Sequence, residues 1–120
     1  METGAFGEQY TCDYLVGKGF QILARNFHSR YGEIDVIACN EQYLVFVEVK
    51  TRSPGAIAQP QMAVTKSKQQ KLIKTALVWM QKNPPDRQPR FDVIALTVSG
   101  NPPEVTELTH FQNAFGTGGF

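Results

Sequence analysis

Only two cysteines, Cys12 and Cys39, occur in the 120 residues. They are too few for a disulfide scaffold and lack metal-binding spacing, so a reduced, cytoplasmic setting is expected. No apolar run approaches the roughly 20 residues needed to span a bilayer, so no membrane partner is expected. The opening METGAFGEQY lacks a basic segment followed by an apolar one, so no secretory leader is expected. Internal repeats are absent, and the one low-complexity stretch is the tail GTGGF. A composition of 42% hydrophobic and 19% charged residues excludes a disordered chain and supports a packed core. The length suits one domain, expected over 1–115, with a frayed tail over 116–120.

The net charge of +1 says little about partners, but its distribution is uneven. Nine basic residues lie between Lys50 and Arg90, against the single acid Asp86. Most acids fall in the first 48 residues. A basic segment beside an acidic one points to an anionic partner held next to an acidic site, or to a solvated basic helix face.

Apolar spacing gives the order of elements. A helix is expected over 4–17, its apolar side formed by Phe6, Tyr10, Cys12, Tyr14, Leu15 and Val16, and its end marked by Gly17 and Gly19. Strands follow over 21–28, 33–39 and 43–50, the last two joined as a hairpin through 40–42. Residues 53–64 hold two prolines and a glycine and read as a loop that could order over a ligand. The spacing predicts a helix over 65–82, capped by Thr65 or Ser67, with Leu72, Ile73, Ala76, Leu77 and Met80 as its apolar stripe. Asn83-Pro84-Pro85 ends it. RFDVIALTV, 90–98, reads as a strand buried on both faces, and VTELTH, 105–110, as an edge strand. This is an α/β layer arrangement in which the second helix can serve a parallel crossover.

The stretch LVFVEVK, 44–50, carries two charges in an otherwise apolar strand. Alternation places Leu44, Phe46, Glu48 and Lys50 on one face. With the hairpin pivoting between Glu41 and Gln42, Asp35 lies across from Glu48 and Glu33 from Lys50. Directly opposed side chains have Cβ atoms about 4.5–5.5 Å apart. Two carboxylates that close repel unless one keeps its proton or a cation lies between them. Mg²⁺, which takes one or two protein carboxylates and fills its shell with water and phosphate, would resolve the conflict. So would a ladder of ion pairs, Glu33 with Lys50 and Asp35 with Arg52 or Arg30. The residues by themselves leave both open.

Ile34-Asp35 followed by Glu48-Val49-Lys50 resembles the PD-(D/E)xK nuclease motif, with Ile34 where the motif's name has proline. More broadly, GEQYTCDYL, ILARNF, GEIDVIA, LVFVEVKTR and RFDVIAL resemble the uncharacterised bacterial YraN-like family, a group related to archaeal Holliday-junction resolvases. The similarity runs from about Gly7 to about Phe115. The resemblance implies a restriction-endonuclease-like three-layer fold, a mixed central β-sheet flanked by helices. It implies a metal-dependent endonuclease acting on DNA, with branched structures as one substrate class. Asp35 and Glu48 would ligate Mg²⁺ or Mn²⁺, with the Val49 carbonyl as a further ligand. Lys50 would position the attacking water, and Glu8 would complete the metal shell through water. The alternative function is a non-catalytic nucleic-acid-binding module acting through a partner protein.

Other residues are read from type and place. Arg52 has the planar fork that suits phosphate. Lys66, Lys68, Lys71 and Lys74 are too spread around their helix to share one narrow face, and Lys66 and Lys71 are taken as the DNA contacts. Glu33 is expected to pair with Lys50, and Asp92 to be structural. A resolvase cuts two strands symmetrically, so a two-fold homodimer is expected with that activity.

Overall fold

The computed structural model describes residues 3–55 and 64–116, with the side chain of Thr3 left aside. The parts of the 53–64 loop and of the tail that fall outside these ranges are not described. Seven elements follow in chain order: α1 (Thr3–Gly17), β1 (Gln21–Ser29), β2 (Gly32–Cys39), β3 (Tyr43–Arg52), α2 (Lys66–Lys82), β4 (Gln88–Ser99) and β5 (Glu104–Phe115). The strands form one sheet in the order β1-β2-β3-β4-β5. The first three are an antiparallel meander, β3 and β4 are parallel across the α2 crossover, and β5 returns antiparallel along the edge. α1 packs on one face of the sheet and α2 on the other. This is the mixed-sheet, three-layer α/β fold of the restriction-endonuclease-like type.

Alternation divides the core. Val36, Ala38, Val45, Val47, Ile94 and Leu96 face α1 with Cys12 and Leu15, whereas Leu44, Phe46, Phe91 and Val93 join Leu72 and Ala76 of α2. Both cysteines are buried and free, Cys12 in the first cluster and Cys39 in the second. α2 starts at Thr65, whose side chain accepts from the Lys68 N–H at 3.2 Å. The hairpin register is the one expected, running from Cys39–Leu44 to Val36–Val47.

Three sequence expectations change in detail. On α1, Tyr10 and Val16 point outward, Val16 being 58% exposed, and the buried face is Gly7, Thr11, Cys12 and Leu15. Tight packing there needs small groups: a Cβ on Gly7 would lie 2.3 Å from Thr51 Cγ2. On α2, Leu77 is 42% exposed, and Thr75 takes its place inside. Its hydroxyl donates to the Lys71 carbonyl at 2.9 Å and meets Ser29 Oγ at 2.9 Å, which ties the helix to the β1–β2 turn. β5 also runs five residues beyond the expected end, to Phe115.

That extension closes over Asp92. Its carboxylate accepts from Arg90 Nε and Nη2 at 2.9 and 2.8 Å and from the Asn113 N–H at 2.9 Å, and His110 Nε2 lies 2.7 Å away. Tyr14 of α1 reaches His110 Nδ1 at 3.0 Å. Asn113 adopts φ 51°, opposite the register irregularity between Phe91 and Val93, so a bulge aims its N–H at the carboxylate. Burial alone would raise the Asp92 carboxyl, but the bonds from His110, Arg90 and Asn113 outweigh it and hold it below the usual carboxylate range. Asp92 is therefore structural, as expected.

Two stability predictions follow. Gly7→Ala should cost about 1–3 kcal/mol by overpacking. Adding Thr51→Ser, which removes the clashing methyl, should recover most of that loss in urea denaturation. Asp92→Asn should cost about 3–5 kcal/mol, since it leaves the Arg90 charge unpaired. The Asp92 contribution is present above about pH 4 and is lost as pH falls through its lowered folded value, so the gap between parent and variant should close in acid.

Candidate functional site

The site lies where β2 and β3 part. Their ladder ends at Val36–Val47, and the next opposed pair in that register is Asp35 and Glu48. Beyond it Ile34 would pair with Val49. Instead the Asp35 carboxylate reaches across and accepts the Val49 N–H at 2.8 Å. In an antiparallel pair, a residue's N–H and C=O turn toward the same partner strand, so the Val49 carbonyl opens onto the same gap. β3 stays paired to β4 through Arg52–Thr97, which fixes the Glu48, Lys50 and Arg52 backbone.

Glu48 is buried, with its side chain 7% exposed. Its Oε1 lies 3.0 Å from Lys68 Nζ and 3.7 Å from Lys50 Nζ. Asp35 is less fortunate. Burial and then the Glu48 charge push its carboxyl up to about 7; the Val49 N–H opposes them, and Glu8 and Glu33 add to the rise. Burial holds the Lys50 ammonium below the ordinary lysine range, with Lys68 adding to the effect and Glu48 opposing it. Lys68 goes the other way: burial is the largest single influence and lowers it, but the bond to Glu48, the Glu48 charge, Lys50 and Asp35 together outweigh that and raise it.

Asp35, Glu48, Val49 and Lys50 therefore converge as the sequence implied, and half-buried Glu8 of α1 is close enough for its charge to act on Asp35. Arg52 is half-buried at the end of β3. Lys71 lines a cavity of about 250 Å³ with Gly32, Glu33, Thr65, Ser67 and Lys68, whereas Lys66 is exposed in the first turn of α2. Glu33 is not the partner of Lys50: it is exposed, and its carboxylate sits 3.7 Å from His28. Arg30 donates to the Tyr31 hydroxyl and stacks on its ring.

The residue that sequence reasoning missed is Lys68. Four lysines at irregular spacing gave no reason to single it out. The only signal was its place three residues after the Thr65 cap, which sets the direction in which the first turn points.

Oxygen donors from Asp35, Glu48 and Val49 form a hard set suited to Mg²⁺ or Mn²⁺. Among the described residues no group of three or more His, Cys, Asp or Glu side chains is arranged to hold a metal. Two carboxylates are the usual protein share for Mg²⁺.

The strain on Asp35 is measurable. A carboxyl raised in the fold stabilises it fully below its unfolded value, about pH 4, and that contribution is lost as pH rises through about 7. Asp35→Asn keeps an acceptor for Val49 without the charge. In chelator-treated buffer it should be more stable than the parent by about 1–3 kcal/mol at pH 8. The advantage should shrink toward pH 5; an equal or lower midpoint in urea at pH 8 would contradict the assignment.

The sequence profile of the uncharacterised protein family UPF0102 matches residues 7–96. A UPF0102 protein of Geobacter metallireducens is 45% identical over 113 residues, covering 93% of this chain and 90% of the relative. One from Trichlorobacter lovleyi is 47% identical over 115 residues, covering 93% and 88%. One from Thermodesulfovibrio yellowstonii is 38% identical over 115 residues, covering 96% of both chains. The profile match takes in Glu8, Asp35, Glu48 and Lys50, and the chain belongs to the UPF0102 family.

Proposed function

We propose that this chain is a metal-dependent endonuclease of the PD-(D/E)xK kind, hydrolysing DNA phosphodiester bonds in branched or repair intermediates in the cytoplasm. The observation that carries the reading is the meeting of the Asp35 and Glu48 carboxylates beside Lys50, at the open end of a hairpin. A half-buried carboxylate raised by the charge of a buried one costs stability, and an ordinary structural core has no use for the pair.

Asp35, Glu48 and the Val49 carbonyl would hold Mg²⁺ or Mn²⁺, with Glu8 reaching the same ion through water. Such an ion supplies Lewis-acid stabilisation of the phosphate and lowers the pKa of a bound water. Lys50 has two tasks. Its ammonium, held below the ordinary lysine range, can exchange a proton with the attacking water, and it can donate to a non-bridging phosphate oxygen as charge develops there. Arg52 would hold phosphate through its planar fork. Lys66 and Lys71 of α2 supply backbone contacts, whose strength falls with salt. Symmetric cleavage of a junction would need two copies related by a two-fold axis.

A second reading is a nucleic-acid-binding module that works through a protein partner without cutting. The Lys68–Glu48 ion pair favours it, since it satisfies one carboxylate with no ion present. That reading requires salt-sensitive DNA binding that survives loss of Asp35 and Glu48.

Calorimetric titration of Mn²⁺ and Mg²⁺ separates the two. The nuclease reading expects saturable binding by the parent that Asp35→Asn and Glu48→Gln abolish. It also expects cleavage of branched DNA to fall by about 10²-fold or more in Asp35→Ala. Equal cleavage by that variant and the parent would sink it.

A further inference from the structure

Lys68 stands at the boundary of two features. One is the carboxylate pair, which it joins through Glu48 at 3.0 Å. The other is the cavity of about 250 Å³ lined by Gly32, Glu33, Thr65, Ser67, Lys68 and Lys71. Its side chain is 41% exposed, against 29% for Lys50. It therefore has the more open path out of the site. Its location is also costly for the helix. α2 has no acid in its first turn, and a cation there opposes the helix dipole. Helix stability does not explain a lysine at this position, whereas Glu48 does.

Charge counting shows what an ion would change. Two carboxylates of the site, Asp35 and Glu48, lie near two ammonium groups, Lys50 and Lys68. A divalent cation between Asp35 and Glu48 would leave a surplus of two positive charges in a largely buried space. Lys50, two residues from Glu48 on the same strand face, has little room to leave. Lys68 has four rotatable methylenes and an adjacent polar cavity. An incoming phosphodiester supplies the negative charge that both the ion and the displaced ammonium need.

We propose that Lys68 is an exchanging counter-ion: it neutralises Glu48 in the metal-free protein and passes to a DNA backbone phosphate seated in the cavity at the start of α2 once a divalent cation takes Glu48. The inference rests on the nuclease reading above. It adds that Lys68 competes with the metal while contributing to DNA binding, two effects of opposite sign. A residue that only held Glu48 in place would support metal binding.

The test uses the full chain with Lys68→Met, Lys68→Gln and, as a control on the same helix, Lys74→Met. Mn²⁺ is titrated calorimetrically without DNA. Removing the competing cation should tighten Mn²⁺ binding about three- to tenfold in both Lys68 variants and leave Lys74→Met at the parent value. Binding of a fluorescent four-way DNA junction is then followed by anisotropy in Ca²⁺ and in chelator. The Lys68 variants should bind about threefold or more weakly than the parent in Ca²⁺, with a salt slope lower by about one, and should match the parent in chelator. Thermal melts confirm folding, and Lys68→Gln keeps a donor to Glu48 if the methionine variant is unstable. Mn²⁺ affinity unchanged or weakened in folded Lys68 variants overturns the exchange. A parent that takes up no Mn²⁺, alone or with the junction, overturns the nuclease reading and the exchange with it.

Discussion

A carboxylate taken out of water must be neutralised or must keep its proton, and this fold sets the buried Glu48 against the half-buried Asp35. Glu48 reaches neutrality through Lys68 and Lys50. Asp35 has no such cation within salt-bridge distance among the described residues, and it turns to the Val49 N–H. The consequence is local and large. β2 and β3 stop pairing where the carboxylates meet, and the strand ends open instead of closing as a ladder. The rest of the molecule holds that opening in place. β3 is fixed by its parallel pairing with β4, and α1 is drawn against Thr51 because Gly7 has no side chain.

The same sheet carries a second buried carboxylate with the opposite outcome. Asp92 is surrounded by donors from Arg90, His110 and Asn113, so its charge is held and its pKa falls. Asp35 lacks that surround, so its pKa rises. One residue type in one sheet thus serves as a clamp at one place and as a strained group at another. The difference lies in the number of donors supplied, which is how a protein separates structural acids from reactive ones.

Much of the architecture was legible because the chain writes it in short periods. Alternation in YLVFVEVK and a 3.6-residue repeat in 66–82 are local signals, and they gave element order, the hairpin register and the parallel crossover. The motif residues were legible for the same reason: Asp35 and Glu48 face each other by hairpin arithmetic. Where expectation and structure part, a tertiary contact decides. Val16 and Leu77 are apolar but outward, because helix packing selects by size as well as by hydropathy, and Gly7, Thr11 and Thr75 fit where larger groups would clash. The end of β5 was missed since the reason for it, the Asn113 N–H bound to Asp92, lies 21 residues away.

The sequence by itself determined the family, the order of helices and strands, and which carboxylates oppose each other, since each of these follows from local pattern or from strand pairing across a short turn. Only the tertiary structure decided which cation meets which acid. Glu33 sits beside His28, its partner across the β1–β2 hairpin, instead of Lys50, and Lys68 reaches Glu48 from a helix on another layer. The Lys68–Glu48 contact depends on where two layers are set relative to each other. That setting comes from packing volumes and from the Ser29–Thr75 contact, and no periodicity in the chain encodes it.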